Sequence, residues 1–130
     1  MKFRKEYTCP LEIVHDILKG KWKTVIIWQL KYRERASLAQ LAQDIKGISQ
    51  KMLLEQLKEL KEFGLVDKKN YAGYPLKVEY FLTGDKGAKI VKALEIMQEV
   101  GREYLSEGAF PARAAGNLSP EKRSAVRSSI

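Results

Sequence analysis

Two side chains in this chain of 130 residues stand out for their chemistry, the single thiol of Cys9 and the single imidazole of His15. One cysteine forms no internal disulfide, and one cysteine with one histidine cannot close a four-ligand zinc site within a chain. There is no glycine-rich phosphate loop, no paired-ligand metal motif and no nucleophile–base pair recognisable by spacing. An enzyme is therefore not expected, and neither is a cofactor or a metal. His15 reads as a partly satisfied surface or core residue. Cys9 precedes Pro10, a residue suited to the first turn of a helix, so the thiol belongs at or near a helix cap. Two readings of it stand. It is a redox or electrophile sensor, reacting by alkylation or by a disulfide between two chains, or it packs as a small apolar side chain near an interface.

A second set of residues suits a polyanion. The formal net charge is +8, which draws a chain toward nucleic-acid phosphates. The excess is spread unevenly: residues 1–35 carry nine Lys/Arg against four Asp/Glu, and residues 36–82 carry seven against six. No single polybasic tail accounts for it. Within 49–63, placing Leu53, Leu57 and Leu60 inward turns Lys51, Glu55 and Lys58 outward, with Gln50 and Leu54 on the flank. Lys51 and Gln50 suit guanine and adenine edges, Glu55 can accept from cytosine N4, and Leu54 can cover a thymine methyl. Ser37 and Ser49, at helix caps, complete these candidate contacts together with Lys77. Lys68, Lys69 and Lys77 can neutralise phosphates, and Tyr71 and Tyr74 can pack a hairpin tip or donate hydroxyls.

These side chains need elements to hold them. Leu11, Ile13, Val14, Ile17 and Leu18 recur at helical spacing up to Gly20. Trp22, Val25, Ile26, Trp28 and Leu30 form a second stripe over residues 21–31, with both tryptophans as core anchors. After a charged connection, Ser37 and Gln40 have capping-box spacing and open a short helix that Gly47 stops. Ser49 caps a longer helix to about Phe63, and Gly64 supplies its left-handed end. Residues 65–71 and 77–82 are strand-like, around the turn Ala72-Gly73-Tyr74-Pro75. Thr83 caps a last helix over 85–105. There Ile90, Leu94, Met97 and Tyr104 form one stripe, while Val91, Ile96 and Val100 lie off it. That surplus of apolar surface calls for a second subunit, with the stripe as dimer interface. Residues 106–130 lose periodicity and read as a mobile tail. The expected fold is mainly α with one small β-hairpin, a winged helix-turn-helix in residues 1–105 that dimerises through its terminal helices. An α-helix, about 10–12 Å across with its side chains, fits the major groove of double-stranded DNA, and the hairpin reaches a neighbouring groove or phosphates. No apolar run approaches the roughly 20 residues of a membrane span, and no signal-peptide pattern follows the basic start. A cytoplasmic location is expected, with no membrane partner.

The motifs Cys9-Pro10, Gly20-Lys21-Trp22-Lys23, Gly47-Ile48-Ser49-Gln50-Lys51-Met52-Leu53, Gly64-Leu65-Val66 and Val78-Glu79-Tyr80 occur in order and resemble the HxlR family of bacterial regulators. That family is a branch of the winged-helix group that includes MarR-type repressors. The resemblance spans residues 7 to about 104. It implies a sequence-specific transcription regulator, a homodimer formed by the N-terminal segment and last helix, on a near-palindromic operator. In some members a cysteine senses the inducing electrophile; a small molecule is the other class of effector. Three departures stand out. Ser37-Leu38 replaces the usual Arg-Phe, Leu54-Glu55 the usual Thr-Gln, and Pro75-Leu76-Lys77 the usual Pro-Pro-Arg. A winged-helix module that binds protein instead of DNA is the alternative, and salt separates the two, since phosphate contacts weaken steeply as salt rises.

Overall fold

The computed structural model describes residues 3–108. The elements are α1 (Pro10–Leu18), α2 (Lys23–Arg33), α3 (Leu38–Asp44), α4 (Gln50–Glu62), β1 (Val66–Tyr71), β2 (Lys77–Leu82) and α5 (Lys86–Ser106). They fall into two compact units, Met1–Val91 and Lys92–Ile130. The first contains α1 through β2 and the start of α5. The second begins within α5, and the expected tail lies outside the described residues from 109 onward.

The core of the first unit is aliphatic. Ile26, Ile27 and Leu30 of α2, Leu41 of α3, and Leu53, Leu57 and Leu60 of α4 are all fully buried, and Val66 of β1 nearly so. Helix α2 packs against α3, α4 and β2, and α3 packs against α4. The phase of α2 differs from the expected one. Its inward positions are Lys23, Ile26, Ile27 and Leu30, the i, i+3, i+4, i+7 pattern of one helical face. Val25 is 40% exposed. A lysine at the first inward position hid the true stripe, because hydropathy alone assigns lysine to solvent. Trp28 is buried and meets Tyr32 edge to face at 5.9 Å.

Helix ends follow the capping chemistry of the sequence. Ser37 Oγ accepts from Gln40 N at 3.2 Å, and Gln40 Oε1 accepts from Ser37 N at 2.9 Å. This reciprocal pair satisfies two amides that the helix leaves unbonded. Ser49 Oγ accepts from Met52 N at 3.1 Å and starts α4. Gly64 ends that helix with φ of 76°, a conformation in which a β-carbon would crowd the carbonyl oxygen.

The strands pair antiparallel, with Val66 opposite Leu82 and Tyr71 opposite Lys77, and the Tyr74–Pro75 peptide is cis. One rung was absent from the sequence reading. Ala36 N donates to Tyr80 O at 3.0 Å and Tyr80 N donates to Ala36 O at 2.8 Å, so the α2–α3 connection joins the edge of β2. A single residue has no periodicity to reveal it. At the hairpin's base, Thr83 Oγ1 accepts from Gly87 N at 2.9 Å and donates to Gly64 O at 2.8 Å. The expected cap of the last helix thus also ties it to the end of α4.

Helix α5 leaves some of its apolar residues covered and others open. Leu94 is 5% exposed, whereas Ile96, Met97, Val100 and Tyr104 are 47–65% exposed. At 100° per residue those four lie within an arc of about 100°, with Ile96 and Val100 turned well away from Leu94 and Met97 and Tyr104 between them and it. The expected stripe thus runs from buried Leu94 and half-buried Ile90 to exposed Met97 and Tyr104, and the exposed edge continues onto Ile96 and Val100. Helix α1 has no buried residue. The segment before it is fastened down all the same. The Phe3 ring packs tilted against Phe63 with centroids 5.5 Å apart, and Arg4 Nε and the Tyr7 hydroxyl both donate to Asp16, at 2.8 and 3.1 Å.

Candidate nucleic-acid interface

Helix α4 separates its chemistry by face. Leu53, Leu57 and Leu60 are fully buried, while Gln50, Lys51, Leu54, Glu55 and Lys58 are all exposed. All five residues singled out on α4 from its spacing thus occupy one free surface, and Leu54 keeps 49% of its area open. Met52 joins them at 36% exposure; the sequence reading did not single it out. Its sulfur accepts from Gln56 Nε2 at 3.5 Å. The caps sit at the amino ends of α3 and α4, Ser37 half-buried and Ser49 exposed. Each hydroxyl oxygen already accepts one backbone N–H, which leaves its proton free to donate to an anionic oxygen.

Two ion pairs brace this surface, and neither was legible from spacing. Lys23, inward on α2, places Nζ 2.5 Å from Glu59 Oε2 on α4, with side-chain exposures of 5% and 40%. Arg33 at the end of α2 grips Asp44 at the end of α3 through two contacts, Nε to Oδ2 and Nη2 to Oδ1, the second at 3.0 Å. A bidentate guanidinium–carboxylate pair fixes orientation as well as distance. Helix α2 is thereby tied to both helices of the helix-turn-helix.

The hairpin carries two of its lysines on one face. Register places Lys69, Tyr71, Lys77 and Glu79 on the same side. The ammonium groups of Lys69 and Lys77 lie 5.0 and 4.9 Å from the Tyr71 ring centre, within cation–π range. The Tyr71 hydroxyl donates to Glu79 at 2.6 Å. That bond to a carboxylate raises the Tyr71 pKa, so the hydroxyl stays a donor. Lys68 shares the opposite face with Tyr80 but is itself exposed. Arg35, beside the Ala36 rung, lies over Phe81 at 4.7 Å and adds a cation at the hairpin's base.

Cys9 is exposed and is the N-cap residue of α1, where its side chain makes no capping hydrogen bond. Among the described residues there is no cluster of three or more His, Cys, Asp or Glu side chains able to hold a metal, and no helix is long and apolar enough to cross a membrane.

The profile of the HxlR-like helix-turn-helix family matches residues 17–109. The chain is 36% identical over 100 residues to MalR of Fusobacterium mortiferum, named as a regulatory protein, covering 77% of this chain and 93% of MalR. Among solved structures, a chain of Porphyromonas gingivalis W83 described as a MarR-family transcriptional regulator superposes with a TM-score of 0.70 at 35% identity, over 78% of this chain and 98% of that one. The redox regulator HypR in its reduced form gives 0.69 at 30% identity, over 74% and 93%. The described residues of this chain, five helices and one two-stranded hairpin, thus share the fold of MarR-family winged-helix regulators. The chain belongs to the HxlR-like helix-turn-helix family of transcriptional regulators.

Proposed function

We propose that two copies of this chain bind one near-palindromic operator in the cytoplasm, each laying α4 in the major groove and its hairpin on the flanking DNA. The observation that carries this reading is the exposed row Gln50, Lys51, Leu54, Glu55 and Lys58, backed by three fully buried leucines. Lys51 and Gln50 present donors suited to purine edges, and Glu55 presents an acceptor suited to cytosine. Ser37, Ser49 and Lys77 hold the backbone and set the register. The second copy is supported by the open face of Ile96, Met97, Val100 and Tyr104, an apolar row that one chain leaves in water.

Selecting bound duplexes from fragments of the source genome tests the reading. Enrichment of a two-fold symmetric sequence is expected, with affinity falling steeply between about 50 and 200 mM salt. On that duplex Lys51→Ala should cost about 1–3 kcal/mol and relax preference at one base pair. A loss equal on all sequences would move Lys51 to the phosphates. Failure to retain any duplex at low salt would favour a protein-binding module instead.

A second reading concerns the signal. Cys9 is exposed and uncommitted at its cap, and HypR, similar in structure, is a redox regulator. We propose that oxidation or alkylation of Cys9 weakens operator binding. With diamide, two Cys9 thiols of a dimer would give up two hydrogens to the reagent and form one disulfide. If Cys9→Ser releases the operator under diamide as the wild type does, Cys9 is not the sensor.

A further inference from the structure

The hairpin tip has an unusual composition for a DNA probe. Residues 72–76 read Ala-Gly-Tyr-Pro-Leu and carry no charge. Tyr74 is 99% exposed and Leu76 84%, the two most open large apolar side chains in the described residues. The cations stand behind them. Lys77 turns its ammonium back over Tyr71, and Lys69 lies over the same ring. Both charges are thus drawn toward the strands, and neither leads the tip. A tip of this kind gains little from the negative potential of a narrow groove, which rewards an inserted cation. It gains instead from covering apolar surface.

Resting on the operator-binding reading above, we propose that the tip reads DNA by apolar contact. Tyr74 and Leu76 pack against the sugar walls and base edges of the minor groove beside the α4 site, while Lys68, Lys69 and Lys77 hold the adjoining phosphates. Charge favours this site: an apolar point collared by three lysines suits a surface whose rim is anionic and whose interior is not. Apolar wedges of this size enter minor grooves and ease base steps apart, which favours flexible pyrimidine–purine steps in the flank.

The two roles separate by salt. A lysine that neutralises a phosphate contributes close to one unit of log–log salt slope, and an apolar side chain contributes none. The probe is the tightest duplex recovered from a randomised library by the wild-type chain. Both variants alter exposed side chains only, and thermal melts would confirm that they fold. The Tyr74→Ser/Leu76→Ser variant should bind it about tenfold more weakly, with the slope unchanged. It should also lose hydroxyl-radical protection of the flanking minor groove. Lys68→Gln/Lys69→Gln should lower the slope by about two units and keep that protection. Wild-type binding with an indifferent tip variant would overturn this inference and leave the operator reading standing. So would a tip variant whose loss is accompanied by a reduced slope. A wild-type chain that retains no duplex would overturn the operator reading itself.

Discussion

At 5% side-chain exposure the Lys23 ammonium meets Glu59 at 2.5 Å, and taking both groups out of water offsets much of their attraction. The pair is therefore better understood as an alignment device between α2 and α4 than as a source of stability. Removing either end has unequal results. Lys23→Met replaces a buried charge with an apolar chain of similar length and should change stability by less than about 1 kcal/mol. Glu59→Ala strands the buried ammonium and should cost about 1–3 kcal/mol, short of the fully buried case because Glu59 keeps contact with water. Urea melts of the two variants check this order. Asp16 offers a second residue-level expectation. Its donors Arg4 and Tyr7 hold its pKa below the usual aspartate value, the Arg4 hydrogen bond being the larger cause. A folded value below the unfolded one means the contact's contribution is present above the ordinary aspartate range and disappears as pH falls through the lowered folded value. A carboxyl-carbon NMR titration should show that depressed midpoint in the wild type and a rise toward the ordinary value in Arg4→Ala.

Among the elements, the junction of hairpin and last helix leaves no room for a side chain at Gly87. A β-carbon on Gly87 would lie 2.6 Å from the Leu65 carbonyl oxygen and 2.9 Å from Thr83 Oγ1, and the first of these is backbone. Gly87→Ala should therefore cost about 1–3 kcal/mol through overpacking, despite alanine's better helix propensity. Gly101, in the same helix, has open space around the corresponding position. Gly101→Ala should stabilise by about 0.4–1 kcal/mol. Opposite shifts in thermal midpoint from the same substitution in one helix would separate close approach from propensity.

For the whole molecule, the expectation is assembly. Leu94 is already covered within the chain, so a charge there reports on folding. Ile96 and Met97 stand 65% and 61% exposed, and a charge there spares the monomer. Ile96→Glu/Met97→Glu should yield a folded monomer by sedimentation, with operator affinity reduced because one half-site then binds alone. A variant that remains dimeric would relocate the interface away from this face.

Much of the helix-turn-helix and hairpin was legible because its signals are local. Ser37 with Gln40, Ser49, Gly64 and the spacing of Leu53, Leu57 and Leu60 each act within one or two helical turns, so the sequence alone determined the element order and the outward row on α4. Tertiary structure decided whatever depends on distant partners. It placed Lys23 inward because Glu59 lies opposite, joined Ala36 to Tyr80 by two backbone hydrogen bonds, and turned Lys77 back over Tyr71. It also divided the apolar residues of α5 into a covered side and an open one. Periodicity reports that a helix has apolar faces; only packing reports which of them the chain itself covers, because burial is set by neighbours far away in sequence.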